Sequence, residues 1–399
     1  MHTENFLTLE KFEMKKTLIA LAALSVTGAF AQSSVTLTGN MDAGYVNTDY
    51  KGTKVSGIYN NGSSTTAIIF KGTDDLGGGL KANFLVESDP NITQLAANTG
   101  WANSQANGTV SGVSTWLNSE MKLGLSSATQ GTLDVGTVNN ASLTANGTGQ
   151  PFGTAIGGGY GSIIKTFAGT NISVASTVRA ENSIKYTSPA MNGFAAGYYY
   201  AAKQTGSNNA NVYSTTMGAY DRPGTREWNV AYNQGPLNAI YVKQTVDNNG
   251  VVTPGAASYT VIGTTATLVT AAGTTLTQVV NLNTLSANYS LGNLTLGATS
   301  QTTKSNTLSI NSKGNVVSAK YVMGANTLGA VVGTATNNLN GLSSKFTGAG
   351  YDYALSKTTN LYARYERLAD NAVTVASVTG FTESSTTRSR TAFGLRQQF

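Results

Sequence analysis

The sequence predicts an all-β fold, a transmembrane antiparallel β-barrel of sixteen strands, and three observations predict it. Short segments along the whole chain alternate apolar and polar residues with a period of two, the repeat of a strand with one wet face. The connections between them are of two kinds, tight turns and long Gly, Ser, Thr and Asn stretches, as in a barrel whose two rims face different compartments. Charged residues make up 11% of the chain and apolar residues 40%, against the ~25% and ~45–50% usual in soluble domains. A chain poor in both is neither an ordinary soluble enzyme nor a bundle of membrane helices, and small neutral residues suit strands and surface loops.

Residues 1–13 are assigned to an upstream start extension. The segment 14–31, MKKTLIALAALSVTGAFA, has two lysines, an apolar run from Leu18 to Val26 and the triplet Ala29-Phe30-Ala31. These are the charged region, apolar core and small-residue cleavage site of a secretory signal peptide. The run is too short to span a bilayer, which takes ~20 apolar residues. Cleavage before Gln32 leaves 32–399 for the barrel. No other stretch approaches ~18 consecutive apolar residues, so helical spans are not expected.

The first strand is SVTLTGNMDAGYV (34–46), with Val35, Leu37, Met41 and Tyr45 on its apolar face. In LKANFLVES, Leu80, Ala82, Phe84 and Val86 lie opposite Lys81, Asn83 and Glu87; in SEMKLGLSS, Met121, Leu123 and Leu125 lie opposite Glu120, Lys122 and Gly124. The pattern returns in NSIKYTS, REWNVAYNQ, TLSANYSLG, GYDYALSK, NLYARYERL and the terminal RTAFGLRQQF. Short connections fall at 74–79, 128–131, 188–193, 234–236, 291–293, 323–326 and 356–359. Long ones fall at roughly 46–64, 88–115, 139–172, 203–225, 247–281, 302–314, 337–344 and 369–387. Seven short and eight long connections join sixteen strands. All six prolines fall in connections, where a missing N–H costs no ladder bond.

The chain ends on Phe399, inside a strand pattern and without a polar tail. Hydrocarbon offers no partners for backbone N–H and C=O groups, so a sheet crossing it must close on itself. The last strand is therefore expected to pair with the first, turning Phe393, Leu395 and Phe399 toward lipid, with Phe399 in the interfacial aromatic girdle. Many of the nineteen tyrosines, among them Tyr198, Tyr200, Tyr289, Tyr321, Tyr351, Tyr353 and Tyr365, lie on the apolar phase or near strand ends, where an amphipathic ring suits the headgroup boundary.

Several functions are excluded. The chain has no cysteine, and its one histidine, His2, precedes the export signal. Ser-His, Cys-His and His-ligated metal chemistry are thus absent from the exported chain, and no catalytic residue, metal or cofactor is assigned. The net charge of +6 includes no Lys/Arg-rich run, so nucleic acid is not an expected partner. GGGYG at 157–161 lacks the strand and helix of a phosphate cradle. Asp74-Asp75 lacks calcium-loop spacing and opens a turn.

Five stretches, SSVTLTGNMDAGY, FKGTDDLGGGLKANF, NSIKYTSPAMNGFAAGYYYA, YALSKTTNLYARY and the terminal GLRQQF, together with QPFG at 150–153, span the exported chain. In them the sequence resembles the Gram-negative outer-membrane porins of the general-diffusion type, sixteen-stranded trimeric barrels. The resemblance implies a homotrimer in outer-membrane lipid that passes small hydrophilic solutes and ions passively. It also implies a third loop folded into the barrel and narrowing the lumen. Here that loop, 139–172, has no Asp or Glu and only Lys165 as a charge. Where the family often has Arg, this chain has Ala67 and Thr137, so the implied constriction is weakly polarised. Within the loop, Gln150, Phe152, Tyr160 and Lys165 are the candidates for the narrowest zone.

Strand parity assigns inward charges at Asp42, Lys71, Lys81, Glu87, Glu120, Lys122, Asp134, Arg179, Glu181, Lys185, Arg364, Glu366 and Arg396. Mixed rings of this kind set which ions enter, although any water-filled lumen is lined with polar groups. The expected function is general diffusion. A substrate-specific channel for a sugar or organic acid on the same barrel is the alternative. An exported β-rich adhesin or surface-layer protein would need a repeat of fixed period, and none is found.

Overall fold

A computed structural model describes residues 34–50, 53–93, 117–159, 177–203, 224–253, 258–262, 265–269, 274–305, 311–339, 341, 343–370 and 388–399. The start extension and the export signal lie outside the described residues, as do Tyr160 and Lys165.

The strands are β1 (Ser34–Tyr50), β2 (Thr53–Asn60), β3 (Ala67–Gly77), β4 (Leu80–Ser88), β5 (Met121–Ser127) and β6 (Gly131–Asn139), followed by the helix α1 (Ala141–Thr148). Then come β7 (Arg179–Thr187), β8 (Phe194–Ala201), β9 (Gly224–Gln234), β10 (Leu237–Thr253), β11 (Ser258–Ile262), β12 (Thr265–Val269) and β13 (Thr274–Leu291). The series ends with β14 (Leu294–Ser305), β15 (Asn311–Met323), β16 (Asn326–Asn337), β17 (Ser343–Ala354), β18 (Thr359–Asp370) and β19 (Arg388–Gln398). Each strand from β3 to β10 pairs antiparallel with the next, β10 pairs with β13, and the ladder runs on through β19 to β1. β2 and β3 share one stave, since β2 pairs with the upper half of β1 and β3 with its lower half. The barrel therefore has sixteen staves. β11 and β12 form a separate hairpin in the connection from β10 to β13.

Closure is a continuous ladder from Asn40↔Gln398 to Tyr50↔Arg388. It extends one residue further, because Gly39 and Phe399 exchange backbone hydrogen bonds of 3.0 and 3.2 Å. The terminal aromatic residue is thus part of the seam.

Alternation separates the two faces. Val35 (70% exposed), Leu37, Tyr45, Leu395 and Phe393 (59% exposed) project outward, with Tyr198, Tyr200, Tyr289, Tyr321, Tyr353 and Tyr365. Apolar residues on the opposite face are buried by the chain itself. Val46, Tyr362 and Ala392 pack on Ile156, while Ile240 and Val242 pack on Ala141 and Ala145. Both clusters lie between the wall and the segment after β6, so that segment is folded inside the barrel.

Three expectations about connections are corrected. The stretch 46–64 is mostly strand: β1 runs to Tyr50, β2 pairs back on it, and among the described residues only the bend 61–66 before β3 is irregular. The stretch 247–281 likewise extends β10 and β13 and holds the β11–β12 hairpin. Gly and Asn weaken a strand in isolation, but a neighbouring ladder supplies the pairing and overrides propensity. The third loop also contains α1, whose sequence ASLTANGT has no acid in its first turn and no base in its last.

Candidate pore constriction

The third loop carries almost no charge, and the wall supplies what holds it. Asn140 makes no side-chain cap on α1, so the orphan N–H groups of the first turn need another acceptor. Glu227 on β9, 1% exposed, provides one. Its carboxylate accepts the Ala141 N–H at 2.6 Å, the Ser142 N–H at 3.3 Å and the Ser142 hydroxyl at 2.5 Å. Gln244 on β10 donates to the same carboxylate at 2.8 Å, and its side-chain oxygen accepts the Thr177 N–H at 2.8 Å. A negative charge at a helix N-terminus also complements the macrodipole. The other end is held by Asn288, donating to the Thr148 carbonyl at 2.8 Å, and by Ser318, donating to the Gly149 carbonyl at 2.8 Å. Gly149 lies so close to β14 that a Cβ would fall 2.6 Å from the Ala298 carbonyl oxygen.

Beyond the helix the loop crosses to β16–β18. The Arg364 guanidinium stacks 3.9 Å from the Phe152 ring centroid, and Gly329 and Gly350 leave the wall open where that ring lies. The Ile156 N–H donates to the Gly62 carbonyl at 3.3 Å. The Gly157 N–H donates to Glu366 at 2.9 Å. Gln150 is buried.

The charged residues assigned by parity fall into three groups. Asp42, fully buried, accepts the Ser63 and Ser64 N–H groups at 2.7 and 2.6 Å and the Tyr362 hydroxyl at 2.7 Å, so it fixes the bend 61–66 against β18. Arg364 extends this node to Asp352 at 2.8 Å and to the Ser63 hydroxyl at 3.0 Å. Glu366 lies between Arg390 (2.5 Å) and Arg388 (3.6 Å). On β5–β7, the Lys122 ammonium is 3.2 Å from Asp134 and 3.4 Å from Glu120, Glu120 also accepts two Asn139 bonds at 3.0 Å, and Lys185 donates to the Asn139 carbonyl at 2.9 Å. Lys71 and Lys81 are exposed, Glu87 is half-buried, and Arg396 donates to Asn360 at 3.0 Å.

Parity stops being a guide at one place. The β6–β7 register shifts between Gly136 and Val138, and Asn182 takes a left-handed φ of 52°. Beyond that bulge it is Ala180 that packs on Val138, Tyr199 and Ala201, so Arg179 and Glu181 no longer share the phase of Lys185. A bulge inserts one residue and reverses the alternation. Arg179 reaches Ser119 at 2.5 Å, and Glu181 is exposed.

Glu227, Gln244, Ser142, Tyr362, Asp352, Arg388 and Arg390 were not among the sequence candidates. The inward phase of REWNVAYNQ already carries Glu227, and extending the last strand back to Arg388 would have found both arginines.

Just beyond β4, burial and then the adjacent Glu87 carboxylate push the Asp89 carboxyl up to about 7. The unfolded chain loses that proton near 3.8, so between about 4 and 7 the folded state binds more protons and stability falls as pH rises. Asp89→Asn should flatten the thermal midpoint of detergent-solubilised protein across this window and raise it at pH 8. An unchanged slope would refute the assignment.

With this geometry in view, the comparisons with known proteins decide the family. A family model described as Gram-negative porin matches residues 17–372. The chain belongs to the Gram-negative porin family. It is 35% identical over 235 residues to the outer membrane porin protein 32 of Delftia acidovorans, covering 57% of this chain and 58% of that one. It is 29% identical over 255 residues to an outer membrane porin protein of Bordetella pertussis, covering 59% and 61%. The aligned part thus spans about three fifths of each relative. Among solved structures, the anion-selective porin from Comamonas acidovorans superposes on this porin with a TM-score of 0.66 at 22% identity, over 92% of this chain and 100% of that one.

Proposed function

We propose that this porin lies in the outer membrane and passes small hydrophilic solutes and ions by general diffusion. The observation that carries the reading is a closed barrel with an apolar outer face and a polar inner face, narrowed from within by the third loop. The porin relatives and the family resemblance support the location, the passive mode and a homotrimer, as they support an export signal at 14–31. Of the charges assigned by parity, Lys71, Lys81, Glu87, Glu120, Lys122, Asp134, Lys185 and Arg396 are read as pore-lining, whereas Asp42, Arg364 and Glu366 are buried in the wall and hold the bend and the loop. Gln150, Phe152, Tyr160 and Lys165 are read as the narrow zone.

Much of the wall charge is paired: Lys122 with Glu120 and Asp134, Arg364 with Asp352, and Arg388 and Arg390 with Glu366. Close opposite charges cancel at a distance, so the net excess of +6 gives only a mild anion preference. The test is single-channel recording in a planar bilayer, with the reversal potential under a KCl gradient. The expected result is a non-saturating conductance and a small anion-directed potential. Saturation by one sugar or organic acid would favour a substrate-specific channel instead. Lys122→Glu and Lys185→Glu should each move the reversal potential toward cations, and an unmoved potential would remove both from the lumen.

A further inference from the structure

The connection from β10 to β13 carries structure that a diffusion pore does not use. β9 stays in register with β10 only as far as Asp247, and β14 with β13 only as far as Val280. Beyond those points Asn248–Thr253 and Thr274–Gln278 pair with each other alone among the described residues. At ~3.4 Å per residue this two-stranded ribbon runs about 20 Å past the neighbouring ladders. Between its strands in the chain, β11 and β12 make a second two-stranded unit, from Ser258↔Val269 to Ile262↔Thr265. That hairpin is a sheet of its own, and among the described residues no third strand joins it.

Two strands by themselves are marginal in water, and a third or fourth strand is what stabilises them. Each pair also ends in two edges whose N–H and C=O groups can template another strand, and proteins blunt such edges with Lys, Pro or a bulge. The ribbon has a bulge, between Asn249 and Val251 on β10. β11, SYTVI, and β12, TATLV, have an uninterrupted register and hold neither proline nor charge. Their Tyr, Val, Ile and Thr residues favour strands, and short neutral β-prone segments without proline pair with copies of themselves. Neutrality also selects the partner. The chain carries a net charge of +6, so two copies repel over most of their surface. Residues 248–281 contain no Asp, Glu, Lys or Arg, which makes this the stretch where two copies meet without repulsion and where a charged ligand finds no ion pair.

We propose that the β11–β12 hairpin is a homotypic contact: its free edge pairs antiparallel with the same edge of a second copy of this chain, giving a four-stranded sheet that joins two barrels by their long-loop rims. A two-fold contact of this kind uses the same patch on both molecules. The proposal rests on the outer-membrane reading, which turns the long connections away from the periplasm.

The test uses the full chain in lipid nanodiscs, read by sedimentation velocity and by electron microscopy of single particles. Wild-type discs should pair rim to rim as concentration rises. The variant Thr260→Lys/Thr265→Lys places one cation on each strand of the hairpin, and its discs should need at least about a tenfold higher concentration to pair. Thr260→Glu/Thr265→Glu should do the same alone, whereas mixing the two variants should restore pairing, which a merely unfolded hairpin would not do. Wild-type discs that stay single, a lysine variant that pairs like the wild type, or a mixture that remains apart would each overturn the proposal. Conductance should be the same in wild type and variants, because neither position lies in the barrel ladder. Discs that pair in this way without conducting would support the contact and count against the channel, and conducting discs that stay single would do the reverse.

Discussion

A chain lacking residues 392–399 is expected not to form a barrel. Those residues pair with Asn40–Val46 on one side and with Thr359–Arg364 on the other. Removing them exposes facing edges of β1 and β18 along most of the ~9–11 residues that a strand needs to cross the membrane. Each unsatisfied backbone group in hydrocarbon costs several kcal/mol. A handful of them exceeds the ~5–15 kcal/mol of a typical folded protein. The measurement is electrophoretic mobility before and after heating, together with protease resistance in detergent. A truncated chain that still migrates as a compact, heat-modifiable species would show that the seam is not what holds the sheet closed.

Glu227→Ala should have the second largest effect, and on the pore rather than on the wall. The substitution removes the acceptor for two backbone N–H groups and one hydroxyl of α1 and for Gln244. Leaving a buried donor unsatisfied costs about 1–3 kcal/mol, and several are left here. α1 packs on Ile240 and Val242 through only Ala141 and Ala145, and two alanines cannot offset that loss. The helix is therefore expected to leave the wall while the barrel ladder survives. Single-channel records should show a changed conductance and added open-channel noise, with the heat-modifiable barrel species intact. Glu227→Gln keeps an acceptor and should fall between. Unchanged conductance in Glu227→Ala would mean that the loop is held elsewhere, at Phe152 and Gly157.

These two results would also separate the roles of the inner charges. Because the third loop is nearly neutral, buried wall charges serve as its anchors: Glu227 for the helix, Arg364 for the Phe152 ring and Glu366 for Gly157. Arg364 and Glu366 are also ion-paired, with Asp352 and with Arg388 and Arg390, so they contribute little field to a passing ion. Lys71 and Lys81, which remain exposed, are in a better position to do so. A neutral constriction loop and a largely paired wall are two aspects of one arrangement.

Much of the fold was legible because its rules are local. A period of two is visible within a few residues, so Val35, Leu37, Phe393 and Leu395 could be placed outside, and Asp42, Lys122 and Arg364 inside, one strand at a time. The rhythm of short and long connections counted the staves, even though parts of two supposed loops proved to be strand. Parity failed at β7 because a bulge reverses the phase without changing composition, so Arg179 and Glu181 carried no warning. α1 was missed because its sequence is a weak helix former whose first turn is capped from β9, far along the chain.

The sequence by itself determined that this is a closed sheet with one face for oil and one for water, since alternation and the unsatisfied edge follow from near neighbours alone. Only the tertiary structure decided which inward charges meet. Asp42 finds Tyr362, and Glu227 finds Ala141, across long sequence separations. Curling the sheet brings distant staves and the folded-in loop within hydrogen-bond distance. That proximity depends on the number of staves and their stagger, which no single segment encodes.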